Sequence, residues 1–264
     1  MADPEGEVIH SADNPAVKRI RSLRRHSTRQ AERAFVVEGM RAVEEAIRAG
    51  GRSRLVLIRA DSDWLPDFGT EHLGVRRVEP RLFDSLSETV SPQPILAVFD
   101  IPATPPQERG VPLYLIVDGV RDPGNLGTLL RSAAAVDASA VLIAPETVDP
   151  FNGKVVRAGV GAHFRVPIIG LNGSWMERIN RTCTVRVLAE ANSEQTYDQI
   201  VWHEPSALIV GSEAHGPSSI GRNLSNASAR IPLMNEIESL NAGVAGSIML
   251  FEALRQRRAR SSPT

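Results

Sequence analysis

Three clusters in the second half of the chain combine residue types able to hold an anion, bring bare backbone up to a ligand, or position a hydroxyl group. The first, Asp118-Gly-Val-Arg-Asp-Pro-Gly-Asn-Leu-Gly-Thr-Leu-Leu-Arg131, follows an apolar run at 113–117 and leads into a helical pattern at 128–136. One proline and three glycines make the turn between them, with Asn125 beside the expected helix start. Such a strand–turn–helix presents free backbone N–H groups and a partial positive charge, a setting for an anion. Arg131, about one turn into the helix, adds a permanent cation whose planar fork matches phosphate. The same residues also fit a tight turn and a core helix carrying one solvated arginine. The second cluster is Leu208-Ile-Val-Gly-Ser-Glu-Ala-His-Gly216, where Gly211 admits a ligand to the backbone and Glu213 leaves a charge beside it. The third, Ile231-Pro-Leu-Met-Asn-Glu-Ile-Glu-Ser-Leu-Asn241, runs from a strand end through a loop into the last helix. Taken singly, each has an ordinary reading: a solvated glutamate, or a helix cap at Ser239 or Asn241.

The elements that must position these clusters follow from the apolar pattern. Short apolar runs at 113–117, 140–143, 166–169, 185–188, 207–210 and 229–233 predict strands, and 128–136, 152–159, 175–180 and 241–258 predict helices, with a short turn after Gly216. Strands alternating with helices predict an α/β fold whose mostly parallel sheet is covered on both faces. All three clusters then fall at the C-terminal ends of strands, where such sheets build their sites. The first half predicts a smaller α/β domain: strands at 35–37, 55–58, 75–78 and 95–99, helices at 40–49 and 80–86, and a turn-rich loop at 64–69. Three prolines within 101–110 mark a linker. The expected domains are therefore 8–100 and 112–260, joined through 101–111.

The 264 residues carry a formal net charge of −1, 42% hydrophobic and 23% charged side chains, which describes an ordinary globular chain and no generic polyanion binder. Charge is nevertheless concentrated: Lys18, Arg19, Arg21, Arg24, Arg25, Arg29 and Arg33 stand against the single acid Glu32, after a helix start at Asn14-Pro15. That run predicts contact with nucleic-acid phosphates, a solvated helix face being the plainer alternative. Cys183 is the only cysteine, so neither an intrachain disulfide nor a cysteine-based zinc site is expected, and no metal is called for. No apolar run approaches membrane-spanning length and the first residues are acidic and polar, so the expected address is cytoplasmic, without membrane attachment. The spacing from Gly119 to Gly127 does not supply the glycine fingerprint of a dinucleotide-binding fold.

Together the three clusters resemble the SpoU/TrmH RNA 2′-O-ribose methyltransferases of the SPOUT superfamily. The matching residues are Asn125-Leu-Gly-Thr-Leu-Leu-Arg131, Gly211-Ser-Glu213 with Gly216, and Ile231-Pro-Leu-Met with Ser239-Leu-Asn241, and the likeness extends over residues 112–258. Asn14-Pro-Ala-Val-Lys-Arg and Phe35-Val-Val-Glu-Gly-Met-Arg41 are similar, more weakly, to the family's small substrate-binding domain, of ribosomal-protein-like α/β fold. One departure is Ala242-Gly243-Val244, where the family commonly has Val-Ser-Val, so the packing of the last helix must differ in detail. The resemblance implies S-adenosylmethionine as cofactor, a C-terminal trefoil knot, and backbone-led cofactor contacts at Gly211, Ile231 and Leu240, with Leu188 and Met234 beside them. It implies that Arg131 is catalytic, with Asn125, Ser239 and Asn241 positioning a ribose and Glu213 orienting Arg131 or the turn. Guanidinium is effectively always protonated, so Arg131 is read as a phosphate holder and stabiliser of a developing alkoxide rather than a base. The resemblance further implies a homodimer through the C-terminal domain and ribosomal RNA as substrate. Transfer RNA is the alternative substrate, and a non-catalytic RNA-binding protein the alternative class. Arg255, Arg257, Arg258 and Arg260 either touch RNA or solvate the tail.

Overall fold

The computed structural model describes residues 8–63, 74–103, 105–106, 110–213, 216–235 and 237–261. The loop expected at 64–69 lies outside the described residues. The chain divides into two units, Met1–Pro102 with Phe151–Phe164, and Ala103–Pro150 with Arg165–Thr264. The boundaries expected from sequence run consecutively; the structure instead packs Phe151–Phe164 with the first unit. The reason is aromatic: Phe151 and Phe164 lie 5.1 and 5.6 Å from the Phe35 ring, and Phe164 lies 5.1 Å from Phe99.

In the first unit the basic run folds as two helices, α1 (Pro15–Ser22) and α2 (His26–Glu32). Asn14 caps α1 by accepting from Ala16 N, with proline at the first helical position. Then come β1 (Ala34–Glu38), α3 (Met40–Arg48), β2 (Ser53–Arg59), β3 (Val75–Val78), α4 (Pro80–Asp84) and β4 (Ile95–Asp100). Gly39, at φ +104°, makes the turn from β1 into α3 that a side chain would strain. The strands form one sheet in the order β1-β4-β2-β3, antiparallel except for β2 against β3. Val17, Ile20, Leu23, Leu57, Phe83 and Leu96 are buried together at its core. The segment Phe151–Phe164 contains α6 (Gly153–Gly159), whose Arg157 lies 3.6 Å from the buried carboxylate of Glu38. Ser87 and Thr89 donate their hydroxyls to the same carboxylate.

The second unit holds β5 (Leu113–Asp118), α5 (Pro123–Ala135), β6 (Ala140–Ile143), β7 (Ile168–Gly170), α7 (Gly173–Thr182), β8 (Val185–Ala189), β9 (Ser206–Gly211), α8 (Ser219–Leu224), β10 (Ala227–Ala229) and α9 (Ala242–Ser261). Its six strands are all parallel, in the order β10-β8-β9-β5-β6-β7. Successive residues of a strand face opposite sides. Tyr114, Ile116 and Ile209 pack with Ile179 of α7 and Leu224 of α8, whereas Val210 faces Gly246 of α9. Helices therefore cover both faces. Cys183 is buried at the end of α7, where desolvation pushes its thiol up to about 12.

Helix α9 lies unusually close to α5. A Cβ on Gly246 would come within 2.4 Å of Leu129 Cδ2, and one on Gly243 within 3.2 Å of Thr128 Cβ. The hydroxyls of Ser132 and Ser247 meet at 2.7 Å across the same seam. Gly243 carries no side chain there, and Thr128 and Asn125 of α5 occupy the space. The other end of α9 is pinned by Arg257, whose guanidinium donates to the carbonyls of Trp202, Val111, Pro112 and Glu204. Arg255 pairs with Glu252 at 2.7 Å. Arg255 and Arg257 of the tail thus act on the fold.

Two sequence expectations need correcting here. The last strand ends at Ala229 rather than running through 233, because Pro232 offers no N–H to a ladder and the chain turns away after Arg230. Arg29, counted with the RNA-facing residues, is 4% exposed. Its guanidinium donates to the carbonyls of Leu23 (2.8 Å) and Arg24 (2.6 Å), groups left open where α1 ends. Arg29→Met removes both donors from buried acceptors and is expected to cost about 2–4 kcal/mol in urea unfolding, whereas exposed Arg25→Met should stay within about 0.5 kcal/mol.

Candidate active site

Strands β5 and β9 lie side by side with Asp118 opposite Gly211, so the first two clusters leave the sheet next to each other. Asp118, 1% exposed, accepts from Ser218 N at 2.7 Å through its carboxylate and ties the end of β5 to the loop after β9 where α8 starts. A Cβ on Gly221 would sit 2.5 Å from that carboxylate oxygen, so glycine there keeps the tie intact. Gly211 has a protein-internal reason as well: a Cβ would lie 2.8 Å from Pro217 N, where the loop comes back over the strand end.

Helix α5 starts at Pro123, five residues before the expected start, and Asp122 caps it by accepting from Asn125 N at 2.8 Å. The anion setting expected at this turn is therefore corrected: a carboxylate of the chain itself already satisfies the helix end and opposes a second negative charge. Asn125 lies within the first turn and is 8% exposed.

What joins the three clusters is a relay of hydrogen bonds. Asn125 Nδ2 donates to Glu213 Oε1 (2.8 Å), and Asn241 Nδ2 donates to Asn125 Oδ1 (2.7 Å). Glu213 Oε1 also accepts from Ala242 N (2.6 Å), and Asn241 Oδ1 accepts from Val244 N (3.2 Å), so the two side chains together cap α9. A carboxylate only accepts and a backbone N–H only donates, so the two ends of the relay fix which way each amide faces. Glu213 was expected to orient Arg131 or the turn; it binds Asn125 of that turn, and with it the start of α9.

Beside the relay opens a cleft of about 360 Å³, built at the ends of β8, β9 and β10 and closed by α9. Gly211, Glu213, Ile231, Ser239 and Leu240 line it, as do Arg222 and Arg230. Of the five expected cofactor contacts, Leu188 is buried in the core beneath it and Met234 is 78% exposed; their neighbours Ala189 and Leu233 take those places. Arg131 does not line the cleft. It lies on the exposed stripe of α5 with Thr128, about one turn beyond the point where α9 starts, and has no hydrogen-bond or ion-pair partner among the described residues. Sequence reasoning passed over Glu190, Arg222 and Arg230. Glu190 and Arg230 each directly follow the C-terminal end of a strand, and that position was the available signal.

Residues 112–251 match the model of the SpoU rRNA Methylase family, more than half of the chain. The chain belongs to that family. Residues 14–97 match the MRM3-like substrate binding domain. The 23S rRNA (guanosine(2553)-2′-O)-methyltransferase RlmP of Bacillus subtilis is 32% identical over 245 residues, covering 92% of this chain and 97% of the relative. Among solved structures, the AdoMet-bound rRNA methyltransferase from Sinorhizobium meliloti is 32% identical with a TM-score of 0.80, covering 94% of this chain and 97% of that one. The SpoU methyltransferase AviRb from Streptomyces viridochromogenes, in complex with AdoMet, is 25% identical with a TM-score of 0.83, covering 93% and 99%.

The relay's dependence on one carboxylate oxygen is measurable. Glu213→Ala leaves Asn125 and the first N–H of α9 without their acceptor and is expected to lower stability by about 1–3 kcal/mol. Glu213→Gln keeps an oxygen for both donors and should fall within about 1 kcal/mol of the parent in thermal unfolding. Equal losses in the two variants would refute the relay.

Proposed function

We propose that the chain is an S-adenosylmethionine-dependent ribosomal RNA methyltransferase, modifying a ribose 2′-hydroxyl where the Glu213–Asn125–Asn241 relay meets the cleft. The observation that carries this is the relay itself, which holds the amides at the starts of α5 and α9 beside a pocket of small-molecule size, about 300–1,000 Å³ in proteins generally. The lining suits the cofactor. Ile231, Leu233, Leu240 and Met249 supply apolar surface for a flat adenine, and the cleft opens beyond strand ends whose backbone groups are no longer used by the ladder.

S-adenosylmethionine, when bound, supplies an electrophilic methyl group on a sulfonium. The chain's own work is to hold the sugar and stabilise charge. Asn125 and Asn241, each locked from both sides, are positioning residues for the ribose, and Ser239, exposed at the cleft, offers it a hydroxyl. Arg131 is the free cation of this reading: it grips a backbone phosphate and lowers the energy of negative charge building on the 2′ oxygen, which a protonated guanidinium does without acting as a base.

The first unit is read as the RNA-capture module. Lys18, Arg21, Arg24, Arg25 and Arg33 are exposed on it, and Arg19 is partly so. Several already serve the fold: Lys18 pairs with Asp13 at 2.9 Å, and Arg24 donates to the carbonyls of Ser85, Leu86 and Ser87. The C-terminal segment is read as tucked through a trefoil knot, a reading that rests on the family resemblance. The assembly in this reading is a homodimer packed through α9, where Val244 (44% exposed) and Phe251 (49%) lie on one face and want an apolar cover. The reaction is placed in the cytoplasm, with the ribosomal RNA; among the described residues no helix is long and apolar enough to cross a membrane.

Arg131→Ala is expected to lower turnover on ribosomal RNA at least about 100-fold while leaving S-adenosylmethionine affinity, read by calorimetry, unchanged. Full activity in that variant overturns the assignment. Phe251→Glu is expected to shift the protein to monomer in light scattering; an unchanged mass excludes α9 as the interface.

A further inference from the structure

The cleft carries four charged side chains, Glu190, Glu213, Arg222 and Arg230. Three of them have partners. Glu213 accepts from Asn125 and Ala242. Arg222 Nη1 donates to Glu190 Oε1 at 3.3 Å, so these two neutralise each other. Arg230 is the remaining one: among the described residues its guanidinium meets neither an acceptor nor an acid, although the residue is half-buried. A cation partly withdrawn from water without an anion is unfavourable, and a carboxylate or phosphate held by the planar fork reverses that. The backbone of Arg230 is also held firmly, its N–H donating to Gln195 O and its carbonyl accepting from Tyr197 N, both at 2.9 Å. A site on so fixed a base discriminates by geometry.

The ligand proposed for this cleft has one anionic group, the carboxylate of its methionine moiety, alongside a sulfonium and an ammonium that are both cationic. We propose that Arg230 binds that carboxylate, and so sets the affinity of the chain for the amino-acid end of S-adenosylmethionine. The inference rests on the cofactor reading of the cleft given above. It assigns a specific contact to a residue outside the three clusters, and it makes the Glu190–Arg222 pair the reason that the second arginine of the cleft does not compete.

Calorimetric titration of the full chain with S-adenosylmethionine and with its decarboxylated analogue separates the possibilities. Arg230→Met is expected to weaken S-adenosylmethionine about 10- to 100-fold and to leave the decarboxylated analogue within about twofold, while Arg230→Lys, which keeps the charge and loses the fork, falls between. Retained binding of the analogue also shows that the variant is folded. Unchanged affinity for S-adenosylmethionine, or an equal loss for both ligands, overturns the proposal, as does a loss confined to RNA binding, which would make Arg230 a phosphate contact. If the parent chain binds neither ligand, the cofactor reading of the cleft falls too; if it binds both equally, only the Arg230 assignment falls.

Discussion

One carboxylate oxygen, Oε1 of Glu213, holds three stretches of chain that are far apart in sequence. It accepts a hydrogen bond from Asn125 at the start of α5 and another from the backbone N–H of Ala242 at the start of α9, while belonging itself to the loop after β9. Asn241 closes the circuit through Asn125. Each amide has one orientation only, because an acceptor-only group stands at one end and donor-only groups at the other. A site of this kind does not depend on packing alone for its precision. Of its members Asn125 is buried, and there an unpaired donor would be costly.

The close seam between α5 and α9 is the second condition. Without side chains at Gly243 and Gly246, α9 settles against Thr128 and Leu129, and its first residues arrive within hydrogen-bond reach of Asn125. At the far end Arg257 fastens the same helix to four carbonyls. The helix is held at both ends, and Ile231, Leu233, Ser239 and Leu240, which precede it, form one wall of the cleft. Stability and site geometry thus share the same contacts.

Much of this was readable in advance, and the exceptions have physical causes. Strands such as β5, β6 and β9 came out within a residue or two because a buried parallel strand is a bare apolar run. The three clusters could be placed at strand ends for the same reason. The start of α5 was placed five residues late because Gly124 and Gly127 weaken the helical pattern, while the cap that overrides them, Asp122, is a local hydrogen bond. Arg29 and Arg25 look alike in a basic run; only tertiary structure brings carbonyls to one and solvent to the other. The Asn125–Asn241 bond spans 116 positions, and no local pattern encodes such a pairing. Arg230 stood next to a recognised motif, yet what sets it apart is that no acid pairs with it among the described residues, which a one-dimensional reading does not reveal.

The aromatic packing of Phe151 and Phe164 on Phe35 and Phe99 has a bearing on how this architecture can be taken apart or recombined. The polypeptide goes back to the first unit after β6 and comes out again before β7, so no single scission yields two whole modules. Cleavage after residue 102 would leave the later fragment with an apolar helical segment stripped of its core, and the earlier fragment without a wall. Shuffling such halves between relatives would require exchanging the excursion at 151–164 together with the N-terminal portion, which ties the inheritance of one to the other.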